Sequence, residues 1–119
     1  MTQKAAKVST ELLDQLIKRE FPKNIELVAS KLEQVNSDSK AGQRRISAAI
    51  LKLANRELNA LDSLIEKANY DSRDILSEAE YPRISDEGFI GIETRTDSEN
   101  LELHSADWNE YSNWLNQSN

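Results

Sequence analysis

Two side chains able to move a proton and attack a carbon stand next to each other late in the sequence: the single histidine, His104, and Ser105. Nucleophilic catalysis needs an imidazole within hydrogen-bond reach of the hydroxyl and a third group to orient the base. Adjacent residues on a strand point to opposite faces, and Ser105 stands where a helix would take a serine as its N-cap. The pair therefore reads as a strand end followed by a cap, and no enzymatic activity is expected.

The carboxylates offer a second chemistry. Asp71, Asp74 and Glu78 recur at three and four residues, which puts three oxygen donors for a hard cation on one helical face. Acidic residues in the first turn of a helix are also favoured by the positive end of its dipole, which accounts for Asp71 and Asp74 without a metal. The run Asp97, Glu99, Glu102 has Glu102 where a calcium loop needs glycine at its sixth position. With no cysteine, disulfides, thiolate catalysis and cysteine-ligated metals are excluded. Gly42, Gly88 and Gly91 are scattered and none opens a phosphate-cradling turn. No cofactor and no metal are expected.

Two binding surfaces remain. Arg45, Lys52 and Arg56 project from one side of a third predicted helix, with Lys40 and Arg44 nearby, and such a stripe could neutralise phosphates. Helices two and three, joined across Asn36–Ser39, suggest a helix-turn-helix, but the joint lacks the usual glycine and the second helix carries too much apolar surface to lie in a groove. A duplex-binding domain normally has a net basic footprint, whereas this chain carries −6. The stripe reads more simply as a solvated rim balancing Glu57 and Asp62.

The second surface is the tail. Residues 1–82 hold equal numbers of acidic and basic side chains, so the whole net charge of −6 belongs to residues 83–119. That segment also contains both tryptophans, and Trp108, Tyr111, Trp114 and Leu115 fall on one side of a final predicted helix. Large rings among acidic residues suit a groove-binding helix, with rings as anchors and charges steering the encounter. The same face could instead dock on the protein's own body, or lie along the basic stripe and gate it.

The elements that must position these residues are mostly helical. Leu12, Leu13, Leu16, Ile17 and Phe21 recur at helical spacing, with Ser9 or Thr10 as cap and Pro22 as stop. Asn24 caps a second helix through Ile25, Val28, Leu32 and Val35, and the turn residues Asn36–Ser39 end it. Ile46, Ile50, Leu51, Leu53 and Ala54 spread over too wide an arc for a surface helix, which marks the third as central. The period restarts at Asn55, leaving residues 39–68 as one helix or two, the second through Leu58, Leu61, Ile65 and Ala68. Asp71 and Asp74 introduce a fifth helix that ends at Tyr81 and Pro82. Beyond it, Phe89–Thr96 alternates as a strand, Asp97–Asn100 makes a turn and Leu101–His104 returns, a hairpin before a short helix capped by Ser105.

At 119 residues the chain is one domain long, with 38% apolar and 30% charged residues, a composition that disfavours the membrane. The most apolar window, Ile46–Ala54, contains Lys52 and is far shorter than the ~20 residues that span a bilayer. Lysines near Met1 have no apolar stretch behind them, so no signal peptide is expected and a cytoplasmic location is. The expected protein is an all-α, small antiparallel bundle of about five short helices in residues 1–82, with an acidic extension over 83–119. Its expected role is a non-enzymatic interaction or regulatory module contacting a protein partner, or a second copy of itself, through Trp108, Tyr111, Trp114 and Leu115. The alternative is a nucleic-acid-associated regulator using Lys40, Arg44, Arg45, Lys52 and Arg56.

Overall fold

The computed structural model describes residues 7–82 and 97–117. Helix α1, Thr10–Glu20, begins where the Ser9 hydroxyl accepts the Leu12 amide at 3.0 Å and ends at Phe21, before Pro22. It buries Leu16 and Ile17. Helix α2, Ile25–Leu32, buries Val28 and Leu32. Its expected cap fails, because the Asn24 side chain makes no capping hydrogen bond and only its backbone carbonyl accepts, from Val28.

Helix α3, Lys40–Ala54, is capped by Ser39, whose hydroxyl accepts the Gly42 amide at 2.9 Å. A Cβ at Gly42 would crowd the Ser37 hydroxyl, which would have to rotate away. Six consecutive residues, Ile46 to Leu51, are buried, so α3 is wrapped on all sides as its wide apolar arc predicts. It packs against α1, α4 and α5.

Residues 39–68 form two helices. Asn55 and Arg56 adopt left-handed backbone, φ 50° and 64°, which stops α3; asparagine tolerates that region better than most side chains. A 3₁₀ turn, Leu58–Ala60, leads into α4, Leu61–Tyr70, two residues longer than its apolar period implies. Asp71 caps α5, Ser72–Glu80, by accepting the Arg73 amide at 3.1 Å.

The last helix, α6, spans Asp97–Leu115 and corrects three expectations. Asp97–Asn100 is its first turn rather than a hairpin turn, Leu101–His104 is helical rather than a strand, and Ser105 lies mid-helix and exposed rather than at a cap. The expected strand at Phe89–Thr96 lies outside the described residues. The physical reasons are local. From Asp97 to Leu115 there is no glycine, proline or β-branched residue, so nothing in the run breaks a helix. Four alternating residues also fit a helical stripe, and His104, Asp107, Tyr111 and Leu115 continue it at intervals of three and four.

The described architecture is therefore all-α, six α-helices and one 3₁₀ turn around α3. Tyr111 and Leu115 of α6 join the core formed by Leu16, Ile17, Val28, Ile50, Leu51, Leu61, Ile65 and Ile75.

Candidate functional site

The basic stripe is largely used inside the molecule. Arg45 grips Glu80 with two parallel hydrogen bonds, Nε to Oε2 at 2.9 Å and Nη2 to Oε1 at 2.7 Å, and Glu80 is fully buried at the end of α5. The hydrogen bond to Glu80 raises the Arg45 guanidinium above its ordinary pKa despite desolvation. Lys52 donates to the Ala79 carbonyl at 2.7 Å, a cation at the negative end of α5, and its ammonium lies 5.2 Å from the Tyr111 ring centroid. Arg44 donates to the Val8 carbonyl at 2.8 Å, and Arg56 approaches the buried Glu20 at 3.5 Å. Lys40 stands exposed at the start of α3. The rim is thus balanced by Glu80 and Glu20, not by Glu57 and Asp62; Asp62 pairs with Lys31 at 2.7 Å.

The aromatic face of α6 is turned mostly inward. Tyr111 and Leu115 are buried, while Trp108 and Trp114 are half-buried and pack against the core. Tyr111 and Trp114 stack with centroids 5.8 Å apart, and the Arg19 guanidinium sits 4.8 Å above the Trp114 ring. Arg19 also donates to the carbonyls of Trp114, at 2.7 Å, and Gln117, at 2.9 Å, satisfying acceptors that the end of α6 leaves open. Its Nε bonds Glu20 at 3.0 Å. Burial pushes the Tyr111 phenol far above its ordinary pKa, and its hydroxyl has no partner among the described residues. The His104 ring meets Tyr81 edge-on at 5.2 Å, and burial pulls its pKa below the ordinary value.

A third surface extends the expected Asp71, Asp74 and Glu78 face across to α4. Helices α4 and α5 meet at a short bend, and between them runs a groove of ≈ 550 Å³ with Ile75 buried at its base. Glu66, Lys67 and Tyr70 line it from α4, Asp74 and Glu78 from α5, and Asp71 from the bend. The Tyr70 ring is 93% exposed, against 47% for Leu27, the other large apolar side chain at the surface of the described residues. Glu66, Asp74 and Glu78 are exposed and, among the described residues, make no hydrogen bond or ion pair, although Asp74 acts through space on Arg73. Asp71 is held by Arg73, whose Nε and Nη2 each donate to it at 3.0 Å, and these bonds lower its carboxyl below the usual range. Asp71, Asp74 and Glu78 do share this side as their spacing implies, but they do not converge; among the described residues no three such groups are placed to hold a metal ion.

Tyr70 carried a signal that the apolar period concealed. Five residues after Ile65 it falls off the face of Leu61, Ile65 and Ala68, and an aromatic residue outside the buried stripe of a helix needs a reason of its own.

Compared with protein-family models, with curated proteins and with solved structures, the chain matches none.

Proposed function

We propose that the protein is a non-enzymatic interaction module, a small cytoplasmic bundle of antiparallel helices, and that its partner docks at the α4–α5 groove. The observation that carries this reading is Tyr70: a large ring left 93% in solvent beside a concave, apolar-based groove, on a body that buries its other ring-bearing helix face. Aromatic side chains at the centre of a contact supply much of its energy, and uncommitted charges at its rim steer the approach. The contact surface therefore moves from Trp108, Tyr111, Trp114 and Leu115 to α4 and α5, because Tyr111 and Leu115 hold α6 to the core. The nucleic-acid alternative has less to draw on, since Arg44, Arg45, Lys52 and Arg56 are each engaged within the chain. No helix among the described residues is long and apolar enough to cross a membrane.

The test is photo-crosslinking in living cells, with p-benzoylphenylalanine at position 70 and, as comparator, at the exposed position 11. A discrete adduct from position 70 alone is expected, and its mass distinguishes another protein from a second copy of this chain. No adduct, or the same adducts from both positions, would refute the reading.

A further inference from the structure

We infer that the α4–α5 groove receives an arginine side chain from a cationic segment of a partner protein. This rests on the reading above and adds the partner's chemistry. Tyr70 presents a free ring face, and a guanidinium is the charged group that best covers such a face while still donating hydrogen bonds in its plane. Acceptors for those donors stand around it. Glu66 lies one helical turn before Tyr70 on α4, and Asp74 and Glu78 lie one turn apart on the facing wall. Among the described residues Glu66 and Glu78 are exposed without hydrogen-bond or ion-pair partners, so there an incoming cation displaces only water, while exposed Asp74 also feels the charge of Arg73.

The local charge is net negative. Of the groove's charged residues only Lys67 is basic, and Arg73 beside it is committed to Asp71. An anionic or wholly apolar segment would leave Glu66, Asp74 and Glu78 facing unlike surroundings, whereas a cationic one is matched on both walls. The methylene stem of the same arginine lies along the exposed Tyr70 ring. The groove has room for side chains rather than for a whole helix, so the partner lies across it and inserts a residue.

The probe is an acetylated, amidated Arg-Arg-Ala-Arg peptide, titrated into the full chain at low salt and followed by ¹⁵N–¹H chemical shifts. Saturable shifts centred on residues 63–78 are expected, with Kd weakened about fivefold by Tyr70→Ala, corresponding to the ~1 kcal/mol of one exposed cation–π contact. Glu66→Gln with Glu78→Gln should weaken it comparably, while Glu11→Gln with Glu26→Gln, the same loss of charge elsewhere, should not. Tyr70 is almost wholly exposed, so its variant should melt with the parent, and melting curves check this. Shifts spread over every acidic surface, or an affinity indifferent to Tyr70→Ala, would overturn the inference. A position-70 adduct without arginine-peptide binding would leave the interaction module standing and remove the arginine, whereas failure of both would remove both.

Discussion

Arg45 and Glu80 meet as a two-pronged pair across 35 residues, and the two ends of that pair differ in their access to water. The Arg45 side chain is 30% exposed and that of Glu80 only 1%, so the carboxylate depends on the guanidinium for its compensation. Arg45→Ala strands a buried carboxylate and should destabilise the fold by about 3 kcal/mol, at the lower end for a broken buried pair because one partner touches solvent. Arg45→Met with Glu80→Met should recover most of the loss. Urea unfolding of both variants checks the prediction, and equal loss in the two would show that packing, not stranded charge, is responsible.

Tyr111 should tolerate the loss of its hydroxyl. The oxygen is buried without a partner, and an unmatched polar group inside a protein costs about 1 to 3 kcal/mol. Tyr111→Phe keeps the ring on Trp114 and Lys52, and is expected to raise stability by about 1 kcal/mol in thermal or urea unfolding. A drop of similar size would mean that the hydroxyl has a partner in solution.

His104 makes stability depend on pH. Burial lowers its pKa in the fold below 6.5, so between the folded and unfolded pKa values the unfolded chain binds more protons. Stability should therefore be complete above about pH 6.5 and fall as the pH drops through that value toward the folded pKa. Midpoints measured between pH 5 and 7.5 should slope upward for the parent and flatten in His104→Gln. An unchanged slope in the variant would assign it to the carboxylates.

Asn69 ties the α2–α3 connection to α4 from both ends of its amide. Oδ1 accepts the Asn36 amide at 2.8 Å and Nδ2 donates to the Gln34 carbonyl at 3.0 Å. Asn69→Ala loses both exposed bonds, at about 1 kcal/mol each, whereas Asn69→Asp keeps the first and sets an oxygen against the Gln34 carbonyl in the second, so Asn69→Asp should cost no less than Asn69→Ala. If Asn69→Asp were the milder change, the Nδ2 bond would be dispensable.

The body was legible in the sequence because its signals repeat. Leu12 to Phe21 and Ile25 to Leu32 sustain one period over two or more turns, Ser9 is the cap of the expected pair Ser9 or Thr10, and Asp71 opens α5 as expected. The hairpin reading failed over Leu101–His104 because four alternating residues are too few to separate period two from period 3.6. The surface failed for another reason. The partners of Arg45, Lys52 and Arg19 lie 35, 27 and 95 residues away, and spacing along the chain says nothing of contacts made through the fold. Tyr70 fell just beyond the expected end of its helix, so its exposed ring was not weighed as a contact.

The reach of Arg19 to the Trp114 carbonyl has a consequence for the order of synthesis. Residues 7–82 contain all five helices that surround or form the central layer, and a chain made from its N-terminus has them available before α6 has been translated. Until then the Arg19 guanidinium keeps its bond to Glu20 but lacks the Trp114 and Gln117 carbonyls, while Lys52 already has the Ala79 carbonyl and waits only for the Tyr111 ring. The arrival of Tyr111 and Trp114 closes that side last.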